Sequence, residues 1–230
     1  MAKLVVLVDD EYCRGFTVPC SGLSLYLELD DEKLLVDTGP LHSVLTWNST
    51  VLSAEVHQVK KVLVTCPLLK HMGSLPKLLK ELGELEVYTP MNYISTTLRG
   101  VRHLVAGTSR VDTRIHAYTV LKPYPETVYV VHLPKLDLVI VGCSRVYLPT
   151  LLRGIEEVLE NRPLVIGGFH VRFNEYCIRD IVTSLRKLGA VAVIPLHCTS
   201  RKVREYLIKK VNRDFLRYIT VPGTGFEVVI

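Results

Sequence analysis

The sequence predicts an α/β protein, a four-layer αββα sandwich in which helices cover sheets on both sides, built as a single domain over residues 1-230. Strand-like runs such as Leu138-Val139-Ile140-Val141 are apolar throughout rather than alternating, the pattern of strands buried on both faces. From Asp137 onward such runs alternate with helical stretches, as they do when helices connect neighbouring strands. A length of 230 residues suits one large domain, and 48% hydrophobic with 22% charged residues excludes a disordered or coiled-coil chain.

The elements follow in order. β-rich runs predict strands at 4–9, 23–29, 33–36, 62–65, 86–88, 116–120 and 128–132. Residues 73–82 carry Leu75, Leu78, Leu79 and Leu82 at helical spacing and stop at Gly83, which predicts a helix. Three strand-then-helix pairs come next: 138–141 with 147–160, 164–166 with 175–188, and 190–195 with 201–211. Closing strands are expected at 218–221 and 226–230. No fixed-period repeat or linker-like composition interrupts the chain.

Met1-Ala2-Lys3 runs straight into the first strand pattern without the signature of a secretory leader, and no apolar run is long enough to span a membrane. The expected location is the cytoplasm. The formal charge of +5 is too mild to imply nucleic acid, which is not an expected partner, but it suits small anions. The basic stretch from Arg201 to Arg217 reads first as a solvated helix face and second as a surface for an acidic partner. Six cysteines form no Cys-x-x-Cys pair, so a closed four-thiolate site is not expected. One glutamine and five asparagines fit a thermophile, which makes Cys13 and Cys20 the pair to test for a disulfide against the simpler reading of free thiols. Nucleotide-binding glycine loops and the Gly-x-Ser-x-Gly elbow are absent from the sequence.

Chemistry is expected where apolar strands end in short polar segments, because rigid backbone there meets loops that are free to vary. Those ends are Asp37-Thr38-Gly39, Thr65-Cys66, Gly142-Cys143-Ser144-Arg145, Gly167-Gly168-Phe169-His170 and His197-Cys198-Thr199. They suggest one shared cleft.

Together with Asp9-Asp10, Gly22-Leu23-Ser24 and Lys70-His71-Met72-Gly73, these segments resemble, in order and over nearly the whole chain, the metallo-β-lactamase fold superfamily. Within it they are most similar to the branch containing the dihydropterin-ribofuranosylaminobenzene phosphate synthases of methanopterin biosynthesis, an archaeal association. The resemblance implies metals held by a His-x-His-x-Asp-His loop. Here that loop reads Cys66-Pro67-Leu68-Leu69-Lys70-His71, and the histidine expected after Gly-Cys-Ser is Arg145. Leucine offers no lone pair, and lysine and arginine place cations where the pattern has ligands.

Two readings follow. In the first, the chain is a degenerate member without two-metal hydrolase chemistry, with no cofactor, which binds an anionic or phosphorylated small ligand through Lys70 and Arg145, or else a partner. In the second, a single divalent metal, zinc by preference, sits on Cys66, His71 and His197, with Cys198 or His170 as a possible fourth donor, and serves a hydrolase or synthase acting on a phosphorylated metabolite. Asp37 and His170 would then orient ligands or touch substrate. The bland alternatives are histidines satisfied at strand ends, cysteines as packing residues, and Lys70 or Arg145 paired with Asp37 or Asp9. A homo-oligomer is compatible with either reading.

Overall fold

A computed structural model describes residues 2–30, 32–90, 100–171, 174–212, 219 and 221–230. Contacts divide the chain into two compact units, Met1–Leu104 with Gly223–Ile230, and Val105–Pro222. The elements of the first unit are β1 (Ala2–Val8), β2 (Ser24–Leu29), β3 (Glu32–Val36), α1 (His42–Val51), β4 (Lys61–Leu63), α2 (Leu69–Met72), α3 (Leu75–Leu82), β5 (Glu86–Thr89), β6 (Val101–His103) and, from the chain's end, β13 (Glu227–Val229). Among the described residues its sheet runs β13-β1-β2-β3-β4-β5-β6, antiparallel through β3 and parallel from β3 to β6.

The second unit holds β7 (Gly107–Arg110), β8 (Ile115–Val120), β9 (Glu126–His132), β10 (Asp137–Val141), α4 (Leu148–Gly154), β11 (Pro163–Gly168), α5 (Glu175–Lys187), β12 (Ala192–Leu196) and α6 (Arg201–Val211). Its sheet runs β12-β11-β10-β9-β8-β7, with β10, β11 and β12 parallel. Residues of β10 and β11 on both faces, Val139 and Val165 as well as Ile140 and Ile166, are fully buried. That is the physical basis of the continuous apolar runs. Val139, Val165 and Val193 pack with Leu151 of α4, Ile181 of α5 and Leu207 of α6 into one core.

The sequence signals missed α1, whose residues include Thr46, Asn48, Ser49, Thr50 and Val51, all weak helix formers. Tertiary contact overrides propensity: the buried Asn48 side chain donates to the carbonyls of Leu7 (2.8 Å) and Val18 (2.9 Å) and accepts from the Val18 N–H (2.8 Å). The helix expected at 147–160 ends at Gly154 and continues as a 3-10 turn, Glu156–Val158. No disulfide joins Cys13 to Cys20 or any other pair of the six cysteines. Residues 213–218 and 220, which carry half of the strand expected at 218–221 and part of the basic stretch, lie outside the described residues. Among those described, no helix is long and apolar enough to cross a membrane.

A polar chain crosses β8, β9 and β10. The buried Asp137 accepts from Nδ1 of His132 (2.9 Å) and from the N–H groups of Glu160 (2.7 Å) and Asn161 (2.9 Å), and His132 Nε2 meets His116 Nδ1 at 2.9 Å. Burial, then the charges of His132 and Arg110, holds His116 below its ordinary pKa of 6.5. A proton therefore binds the unfolded chain first, so the contribution of His116 is complete above the ordinary value and is lost as pH falls below it. We expect the urea midpoint to drop as pH falls from about 7.5 to about 5, and His116→Gln to flatten that limb; an unchanged slope in the variant contradicts the assignment.

Candidate metal centre

In the first unit, Asp37 follows β3 in a left-handed conformation (φ 57°) that turns its carboxylate back toward β4. It accepts from the Thr65 N–H (2.8 Å), the Thr65 hydroxyl (2.5 Å) and His71 Nδ1 (2.6 Å), and both Asp37 and His71 are fully buried. A carboxylate only accepts, so Nδ1 carries the proton. This carboxylate–histidine pair is the arrangement that orients ligating imidazoles in metal proteins. Cys66 is buried two residues beyond Val64, and Leu68 and Leu69 occupy the remaining loop. Lys70 is exposed and donates to Ser21 Oγ (2.9 Å). The expected pairing of Lys70 with Asp37 is therefore not formed, because Thr65 and His71 take up that carboxylate.

In the second unit, three parallel strands end side by side. β10 leads to Cys143, β11 to His170 and β12 to His197 and Cys198. Cys143 Sγ lies 3.3 Å from His170 Nδ1 and 3.5 Å from Cys198 Sγ, and all three donor atoms fall within 4.8 Å of one another. The backbone N–H of His170 donates to Cys198 Sγ (3.2 Å), which in turn lies 3.5 Å from the Cys143 carbonyl oxygen. Cys143 is buried, Cys198 half-buried and His170 exposed, so the group opens at one side. His197 is buried beside it in sequence.

Close backbone approach makes the convergence possible. A Cβ on Gly167 (φ 130°) would lie 1.7 Å from the Val141 carbonyl oxygen, and one on Gly168 would lie 2.4 Å from that of Gly142 and 2.7 Å from that of His197. Side chains then staple the strand ends. Ser144 Oγ donates to the Gly168 carbonyl (2.9 Å), and the Phe169 N–H donates to Thr199 Oγ1 (3.0 Å). Arg204 does not belong to the solvated face expected of the basic helix. It is fully buried and donates through Nε to the Thr199 carbonyl (2.9 Å) and through Nη1 to that of Pro222 (2.8 Å). Ser144, His170 and Cys198 all have positive φ (55°, 49° and 54°), a strain of about 1 kcal/mol each that persists only where surroundings over-determine it.

Two contributors escaped the sequence reading. Cys143 lies at one of the polar strand ends where chemistry is expected, but no ligand role is assigned to it from the sequence; a thiol directly after the first of three parallel strands is the signal that marks it. Glu126, at the head of β9, is buried and receives the N–H groups of Cys143 (3.0 Å), Ser144 and Val146 (3.4 Å). Burial holds its carboxyl above the usual range while the Cys143 and Ser144 N–H groups pull it back. Arg145 extends from this loop, its guanidinium carbon 3.8 Å above the centre of the Tyr124 ring.

The geometry fits one soft metal ion. With Zn–S of about 2.3 Å and Zn–N of about 2.0 Å, a tetrahedral ion needs its donors about 3.8 Å (S to S) and about 3.5 Å (S to N) apart, close to the 3.5 and 3.3 Å found.

No family model and no curated protein matches the sequence, but solved structures do. A metal-dependent hydrolase of the β-lactamase superfamily superposes over 100% of this chain and 99% of its own, with a TM-score of 0.79 and 20% identity. The chain has the metallo-β-lactamase fold. Human tRNase Z, short form, covers 99% of both chains (TM-score 0.62, 14% identity), and a diphosphatase from the PhnP family covers 100% of this chain and 98% of its own (TM-score 0.58, 11% identity). The two mixed sheets with their helices are those of this fold, as the sequence implied.

Removing the Glu126 carboxylate leaves buried N–H groups without an acceptor, at about 1–3 kcal/mol each. Glu126→Ala is expected to lower unfolding free energy by about 2–4 kcal/mol in denaturant melts; a loss under about 0.5 kcal/mol contradicts its loop-fixing role.

Proposed function

We propose that this chain is a metallo-β-lactamase-fold protein that has replaced the fold's two-metal chemistry with a single zinc held by Cys143, His170 and Cys198, and that it acts there on a phosphorylated small molecule. The observation that carries the reading is the pair of donor separations at the strand ends. Three protein donors with one side open match the ligand count of a catalytic rather than a structural zinc. When bound, such an ion supplies Lewis acidity and an acidified water.

The chain's own residues do the rest. Glu126 holds the Cys143–Val146 backbone in place, Arg204 and Thr199 hold the β12 end, and Arg145, always cationic and steadied on Tyr124, offers a planar fork to a phosphoryl or carboxylate group. The resemblance of Gly142-Cys143-Ser144 and Gly167-Gly168-Phe169-His170 to the dihydropterin-ribofuranosylaminobenzene phosphate synthases, and the diphosphatase among the structural neighbours, support a phosphorylated substrate. The amide-poor composition supports a protein of a thermophile.

A second reading, an anion-binding protein without catalysis, is favoured by Leu68 and Lys70, which stand where the resemblance places ligands. Metal analysis of protein purified without chelators or metal-affinity steps separates the possibilities. About one zinc per chain is expected, lost in Cys143→Ser and in Cys198→Ser but retained in Cys66→Ser. Metal retained in the first two variants, or none in the native protein, overturns the site. Zinc present without turnover of phosphate mono- or diesters favours the second reading.

A further inference from the structure

Helices α5 and α6 end beside one another, near the starts of β11 and β12 and thus at the opposite strand ends from the Cys143 group. There they leave a cavity of about 390 Å³ lined by Arg162, Arg186, Lys209 and Lys210 and by Gly189 and Asn212, with no carboxylate in its lining among the described residues. A structural role accounts for part of this charge. Two helix C-termini carry roughly −0.5 each, and the Arg162 and Arg186 side chains donate to the carbonyls of Gly189 (3.2 Å) and Lys210 (3.1 Å). Among the described residues, four cations against about one negative charge leave about three positive charges without a compensating carboxylate, Lys210 lying over the Tyr206 ring at 5.6 Å.

Among the described residues none of the four forms an ion pair with a carboxylate, whereas neighbouring basic residues do, Lys187 with Glu156 and Arg201 with Glu205. Each arginine is anchored through a single nitrogen, so its planar fork is pre-oriented and its other N–H groups remain for a ligand. The volume falls in the range of small-molecule sites. Two guanidinium forks and two ammonium groups carry more positive charge than one phosphoryl group neutralises, so adjacent phosphoryl groups match the lining better.

We infer that this cavity binds a small anion carrying two or more adjacent phosphoryl groups. The site is independent of the strand-end metal. Calorimetric titration with inorganic pyrophosphate, against orthophosphate as reference, tests it on the full chain. Pyrophosphate is expected to bind at least about tenfold more tightly than orthophosphate, and the exposed substitutions Lys209→Gln with Lys210→Gln to weaken it by about tenfold or more at an unchanged melting temperature. Cys143→Ser should leave the binding as it is. Equal affinity for the two anions, insensitivity to the lysine substitutions, or loss in Cys143→Ser overturns the assignment, as does tighter binding of a single-stranded RNA oligonucleotide with a steep salt dependence.

Discussion

The parallel pairing of β10, β11 and β12 is the constraint on which the rest depends. Parallel neighbours bring their C-terminal ends to one edge, and Gly167 and Gly168 let the backbones approach more closely than any side chain permits. Loops leaving that edge have little room, so Ser144, His170 and Cys198 take left-handed conformations that L-residues otherwise avoid. The strain is tolerated because Glu126, Thr199 and Arg204 tie the same loops down from beneath. The convergence of donors at this edge is a consequence of backbone geometry: the sulfur atoms of Cys143 and Cys198 and the imidazole of His170 are held within 4.8 Å of one another by residues outside the group.

The first unit applies the same logic on a smaller scale. Asp37, at the end of β3, fixes Thr65 at the end of β4 and the ring of His71, which needs no further support from its loop. That loop carries leucine at 68 and, at 70, an exposed lysine that donates to Ser21. The ring of His71 is thus oriented by Asp37 at the strand end, without a contribution from Leu68 or Lys70.

The α/β class, the order of strands and helices after Asp137 and the polar strand ends were legible because continuous apolar runs and helical spacing are local signals. So were Asp37, His71, His170 and His197 as residues of interest. The helix α1 was not, since Asn48 stabilises it through the carbonyls of Leu7 and Val18, contacts far away in sequence. Nor was the role of Cys143 or Glu126: which thiol faces which imidazole depends on strand pairing and on a turn with positive φ, and neither leaves a periodic trace. Arg204 shows the same limit, a basic residue on a basic helix that reads as solvent-facing and is in fact fully buried against two carbonyls.

Zinc-edge X-ray absorption on the purified protein tests the central claim most directly, because it reports donor identity rather than metal content. The account predicts a mixed shell containing two sulfur neighbours at about 2.3 Å and imidazole nitrogen at about 2.0 Å. A shell made only of nitrogen and oxygen neighbours, without sulfur, would contradict it.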